Sequence, residues 1–242
     1  MPRILSPPRL SGLRRELAAL ADPDRARGSA RFFKTAKGEY GEGDRFIGIS
    51  VPQLRRLARR YRHLPLQDIA KLLASLVHEH RFTALEILVA QYEAGEADSK
   101  QAIYHFYLQN SRRANNWDLV DTSAPYIIGE HLLTRPRGEL EQLAKSENVW
   151  ERRMAIVATL LLIRNGELED TFRIAALLLS DRHDLIHKAV GWMLRETGKR
   201  SMAALLQFLE EHHAHMPRTA LRYAIERLPE NRRKRILAGV FD

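Results

Sequence analysis

The chain has no cysteine among its 242 residues. That absence removes disulfides, thiolate zinc sites, iron–sulfur clusters and cysteine nucleophiles together, and it suits a reducing compartment, so a cytoplasmic location is expected. Long apolar runs are missing as well. The longest, residues 154–163, is closed by Arg153 and Arg164 and is far too short to span a bilayer. Residues 1–8 carry a charge with no apolar core behind it, which argues against a signal peptide. No strand-like alternation of apolar and polar residues stands out, and no glycine-rich loop of the nucleotide-binding type occurs.

What is present is positive charge. The chain carries 39 Lys and Arg against 30 Asp and Glu, a formal net charge of +9 with a sequence pI near 10.0. Such a balance favours a polyanionic partner, nucleic acid first and an anionic membrane surface second. A hydrophobic content of 45% is enough for a real core, so the chain is read as globular. Residues 1–242 are taken as a single domain, with residues 1–24 forming a peripheral N-terminal helix.

The dominant pattern is helical, with apolar residues such as Leu13, Leu17 and Leu20, or Leu205, Leu206 and Leu209, at helical spacing. Prolines 52, 65, 136, 217 and 229 and glycines 95, 166 and 198 mark boundaries. Residues 37–44 hold three glycines and read as a loop that feeds a new helix near Ser50-Val51-Pro52. Helices beginning near His78, Asn116, Val149, Asp184 and Pro217 can be laid on one another. Ala84, Val120, Ala155, Ala189 and Ala220 then align, at intervals of 36, 35, 34 and 31 residues. Shorter helices, such as 138–146 and 168–180, lie between them. Helix pairs at this period predict an all-α fold, a right-handed α-solenoid of HEAT-like repeats with a basic concave groove. The alternative is an irregular helical bundle.

Trp117 and Asp121 stand four residues apart on one of these helices, so both face the same side. An acid beside an indole is out of place on a protein built to meet phosphates, unless it is there to meet positive charge. Counted at about 100° per residue from the aligned small residue, Trp117, Asp121 and Arg153 fall at roughly 60°, 100° and 160°. Trp192 falls at roughly 300° on the same count, which means a slipped register or a rotated helix at that repeat. Local sequence alone also allows Asp121 to be a helix cap, since Thr122-Ser123-Ala124-Pro125 follows it. Asp118 competes with it but lacks the one-turn relation to Trp117. Trp150 is read as core.

Basic residues gather around the same helices: Arg112, Arg113, Arg152, Arg153, Lys188, Arg195, Arg218 and Arg222. Several in one groove would hold a duplex by its phosphates without reading sequence; singly, each is as easily a solvated surface residue.

Trp117-x-x-x-Asp121, Trp150-Glu151-Arg152-Arg153-Met154-Ala155 and Lys188-Ala189-Val190-Gly191-Trp192-Met193-Leu194-Arg195-Glu196 together resemble the AlkD family of DNA alkylation-repair glycosylases. Phe46-Ile47-Gly48-Ile49-Ser50-Val51-Pro52 is similar to the family's early helices, so the resemblance covers roughly residues 30–225. It implies a HEAT-like solenoid that excises purines alkylated at N3 or N7 from duplex DNA. Trp117, Asp121, Arg153 and Trp192 match the family's active-site residues, and Phe32 matches an aromatic of an N-terminal DNA-contacting helix. The resemblance implies a protein that grips the backbone and leaves the base largely stacked; the enzyme is expected to be monofunctional and monomeric, with no cofactor, metal or membrane partner.

The residue types suit that chemistry. Alkylation makes the purine a cationic leaving group, and bond cleavage builds oxocarbenium character on the deoxyribose. A carboxylate near the sugar stabilises that charge, as carboxylates do in glycoside hydrolysis. Indole faces attract cations, and an arginine holds a phosphate. The sequence offers no clear nucleophilic lysine beside the acid, which points to hydrolysis without strand cleavage. Among the ten histidines, His183 and His187 have zinc-compatible spacing but Asp184 stands where a catalytic glutamate would be required; His78, His80 and the group at 212–215 have no evident distant partner. The rival functions are a DNA-binding solenoid without catalysis and a protein-interaction scaffold; the Trp/Asp/Arg/Trp set opposes the first, and the basic balance gives no reason for the second.

Overall fold

The computed structural model describes residues 9–241, so the residues read against a signal peptide, 1–8, lie outside it. Among the described residues the chain is all-helical, with no strand and one isolated bridge between Arg45 and Val77. It divides into two compact units at Ser123 and Ala124.

The first unit holds α1 (Leu10–Ala19), α2 (Pro23–Phe32), α3 (Val51–Arg60), α4 (Leu66–Leu73), α5 (His78–Ala94), α6 (Ala97–Gln109), a 3-10 turn (Ser111–Arg113) and α7 (Trp117–Ala124), whose last residue opens the second unit. Helix α1 is anchored by the fully buried Leu13 and Leu17, and Glu16 on it accepts a 2.7 Å bond from the Tyr61 hydroxyl. Asp22 starts α2 by accepting from the backbone N–H groups of Asp24 and Arg25, with Pro23 at the first helical position where its missing N–H costs nothing. Helix α5 packs on α3, α4 and α6.

The loop between α2 and α3 is fixed from below by one acid. Glu79, 3% exposed in the first turn of α5, accepts from the N–H groups of Ile47 at 3.0 Å and Gly48 at 2.7 Å. Gly48 has φ +85°, and a Cβ there would lie 2.1 Å from the Asp22 carbonyl oxygen, so only glycine permits this approach. The irregular loop expected at residues 37–44 is tied within itself, Glu42 accepting from the Gly38 N–H at 2.8 Å, and it runs on through Asp44 and Phe46 to the residues that Glu79 holds.

The second unit continues from α7 through a π turn (Pro125–Gly129) into α8 (Glu130–Leu132), then α9 (Gly138–Ala144), α10 (Val149–Arg164), α11 (Glu169–Leu178), α12 (Asp184–Gly198), α13 (Met202–His212), α14 (Arg218–Ala224) and α15 (Glu230–Leu237). Its helices stack in two layers: the π turn, α10, α12 and α14 pack in series, while α9, α11 and α13 back them. Asn148 caps α10 with a 2.8 Å bond from the Trp150 N–H. At two crossings the backbones nearly touch. A Cβ on Gly129 would meet the Ala158 carbonyl at 2.3 Å, and one on Gly191 the Ala220 carbonyl at 2.4 Å.

The repeat register is reproduced. Helices α5, α7, α10, α12 and α14 begin at or within one residue of the expected starts, and Ala84, Val120, Ala155, Ala189 and Ala220 are each fully buried. The intervening helices are shorter than expected, α9 ending at Ala144 and α11 running only from Glu169 to Leu178.

Candidate functional site

Asn116, Trp117 and Asp118 open α7, and each side chain has a different anchor. Asn116 is fully buried; its Oδ1 accepts from the Trp117 N–H at 2.8 Å and its amide donates to Asp44 Oδ2 at 3.3 Å. Asp118 Oδ2 lies 2.8 Å from His78 Nε2, and its Oδ1 is buried with no hydrogen-bond partner among the described residues. The half-buried Trp117 indole stacks on Phe33, with centroids 5.3 Å apart and planes 19° apart, and meets Phe32 edge-on at 5.9 Å.

Beneath the indole the rings continue. Phe33 stacks on Phe46 at 4.9 Å, and Phe46 on His78 at 4.4 Å. His78 Nδ1 lies 3.1 Å from Asp44 Oδ2, and Asp44 Oδ1 receives a 2.5 Å bond from Arg81. Burial works against a charged imidazole, but the bonds to Asp118 and Asp44 outweigh it and raise His78 to about 9. Burial likewise opposes the Asp44 charge, yet His78, Arg81 and Asn116 together hold its carboxyl below the usual range. This is a correction to the sequence reading, which gave His78 no distant partner and treated Asp118 only as a rival to Asp121.

Asp121 follows one turn later. It lies inside α7, which runs on to Ala124 and into the π turn, so it caps no helix. Its carboxylate is half-exposed, and its charge adds to the burial that pushes up the pKa of Tyr107, a phenol fully buried and bonded to Ser123 at 2.8 Å. Next to Asp121, Thr122 donates to Glu86 at 2.6 Å.

The other expected site residues divide clearly. Phe32, at the end of α2, is 66% exposed and touches Trp117, so the first unit brings those two together. Arg112 and Arg113 lie exposed in the 3-10 turn and border a small cavity of about 150 Å³ shared with Asp44 and Arg81. In the second unit Arg153 is 5% exposed and donates to the Leu185 carbonyl at 2.6 Å, which ties α10 to the first turn of α12. Trp192, on α12, is half-buried. Lys188 pairs with Asp184 at 2.8 Å, Arg195 pairs with Glu226, and Arg222 is exposed. Trp150 is core, 6% exposed. The His183 ring caps α12 by accepting from the Leu185 N–H at 3.2 Å, and His187 Nε2 lies 2.6 Å from the Asp181 carbonyl oxygen, so both histidines have helix-terminal partners.

Sequence reasoning missed Phe33, Phe46 and His78 as neighbours of Trp117. The one local signal was the pair of adjacent aromatics at the end of α2, Phe32-Phe33, of which only the first was singled out.

An all-helical chain that sets an indole and an acid one turn apart, over a stack of aromatic rings, is in class a helical-repeat protein with a built polar site. The comparisons make that specific. The profile of the family described as DNA alkylation repair enzyme matches residues 13–228, and the chain belongs to that family. A solved structure described as a predicted DNA alkylation repair enzyme from Enterococcus faecalis shares the fold, with a TM-score of 0.65, 18% identity and coverage of 87% of this chain and 97% of its own. No curated protein matches this chain. Family membership places the protein in the repair of alkylated DNA and makes DNA its partner. No helix among the described residues is long and apolar enough to cross a membrane.

Proposed function

We propose that the protein is a monofunctional DNA glycosylase that hydrolyses the N-glycosidic bond of purines alkylated at N3 or N7 in duplex DNA, leaving an abasic site. The observation that carries this reading is the pairing of Asp121, half-exposed, with the indole of Trp117 one turn earlier on α7, in a chain of the alkylation-repair family. Asp121 faces the deoxyribose, stabilises the charge that builds on the sugar and orients the attacking water. Trp117 presents its indole to the sugar and the cationic lesion, while Phe32 extends the aromatic surface toward the duplex.

The roles of Arg153 and Trp192 rest on the family resemblance. Arg153 is a phosphate ligand and Trp192 a second aromatic wall. Lys188, Arg195, Arg222, Arg112 and Arg113 supply phosphate contacts. Because the lesion is already a good leaving group, the reaction needs neither metal nor cofactor. Purified protein incubated with duplex DNA containing 7-methylguanine should release the free base and leave an alkali-labile site in an uncut strand. Tight duplex binding without base release would leave a non-catalytic DNA-binding protein instead.

A further inference from the structure

We propose that His78 is a positioning residue for the indole of Trp117, reaching it by two routes, through the carboxylate of Asp118 and through the stacked rings of Phe46 and Phe33. The proposal rests on the reading of Trp117 given above as the surface that meets the lesion.

The first route is short. His78 Nε2 bonds Asp118 at 2.8 Å, and Asp118 is the residue after Trp117 in the first turn of α7, so this bond fixes how the start of that helix is rotated. Among the described residues no other hydrogen bond holds the Asp118 side chain, whose second oxygen is buried without a partner. Asp44 differs, because Arg81 and Asn116 hold it as well as His78. Loss of His78 therefore leaves Asp44 in place and releases Asp118.

The second route is a run of nearly parallel rings. The planes of His78 and Phe46 are 23° apart, those of Phe46 and Phe33 17°, and those of Phe33 and Trp117 19°. A tilt at one end of such a stack is passed to the other, since packed rings leave no space to absorb it. The two routes start on one imidazole and end on adjacent residues, which closes a ring of contacts that includes the indole.

Only histidine meets both demands. Phenylalanine would keep the stack and lose the bonds; glutamine would keep a bond and lose the stack. The charged groups facing His78 are Asp44 from the loop, Asp118 from α7 and Arg81 from its own helix, so a protonated ring satisfies a carboxylate on each side.

The test uses the full chain carrying His78→Gln or Asp118→Asn. It follows the indole N–H resonance of Trp117, assigned with Trp117→Phe, and base release from 7-methylguanine duplex. In His78→Gln the resonance should move and kcat should fall about tenfold, with KM within about threefold, because positioning acts on the bound lesion rather than on duplex affinity. Asp118→Asn keeps an oxygen to accept from His78 and removes one of its two counter-charges. The alkaline limits of the resonance and of kcat should then shift together to lower pH by about one unit or more. A role in folding alone would not move the two in step.

If His78→Gln does not fold, Asp118→Asn decides. A wild-type pH dependence of both readouts in Asp118→Asn, or an unmoved Trp117 resonance in folded His78→Gln, overturns the proposal. If wild-type protein releases no base, the glycosylase reading fails, and the resonance alone still judges whether His78 positions the indole.

Discussion

The two units bury their polar groups differently. The first encloses Asp44, His78, Glu79 and Arg81, each 9% exposed or less, around the start of α5 and beneath α7. The second keeps its ion pairs nearer the surface, Arg137 with Asp170 and Arg152 with Asp181, while inside its two-layer stack Arg153 donates to a backbone carbonyl and backbones cross closely at Gly129 and Gly191. Buried ion networks are weak evidence for stability, because desolvation offsets much of what the charges regain. The contrast teaches that the first unit gives up packing simplicity for orientation, and the residue so oriented is Trp117.

The largest effect that would sharpen this contrast is on chemistry. Asp121→Asn removes charge and keeps shape, so base release should fall by about 10²–10³ with duplex affinity unchanged, the range typical of losing one electrostatic stabiliser. Base release at the wild-type rate would remove Asp121 from the mechanism.

Next is the alkaline pH dependence of folding, which should belong to the first unit. His78 is raised to about 9 in the folded protein from an ordinary 6.5, so its contribution is full below about 6.5 and is lost as pH rises through about 9. Asp44 is lowered from an ordinary 3.8, so its contribution is present above that value and is lost as pH falls below it. Urea unfolding followed by the Trp117 resonance should show a plateau between these limits and a loss on the order of a few kcal/mol on the alkaline side. Equal alkaline loss for Trp117 and Trp192 resonances would break the comparison.

Glycine substitutions test the packing of the two units directly. Gly191→Ala forces a Cβ to within 2.4 Å of the Ala220 carbonyl and should destabilise by about 1–3 kcal/mol. Gly28→Ala, in the middle of α2 with nothing within 4 Å of the new Cβ, should stabilise by about 0.5–1 kcal/mol. Denaturant midpoints measure both. The smallest expected effect is that of Arg222→Ala, which should lower the salt slope of duplex binding by about one phosphate contact and leave base release at saturation unchanged. An unaltered slope would place Arg222 off the DNA.

Helix positions were legible because periodicity and capping are local. Val149 and Asp184 were placed as helix starts from a few neighbouring residues, and the small residues of the register had to be buried wherever two helices cross closely. The one-turn relation of Trp117 to Asp121 was equally local. The partners of His78 were not, since Asp44 and Asp118 lie 34 and 40 residues away, and the path between them runs through an irregular loop. No pattern of spacing encodes where such a loop returns. Its path depends on Glu79 collecting backbone N–H groups and on Gly48 fitting against Asp22.

By itself, then, the sequence determined an all-helical repeat chain, its basic character and an indole beside an acid on one helical face. Tertiary structure alone decided what lies under that indole: two further rings, Phe33 and Phe46, and a histidine between two carboxylates. The physical reason is range. Helical periodicity acts over three or four residues, whereas a buried charge is tolerable only beside partners that the folded chain brings from far along its length.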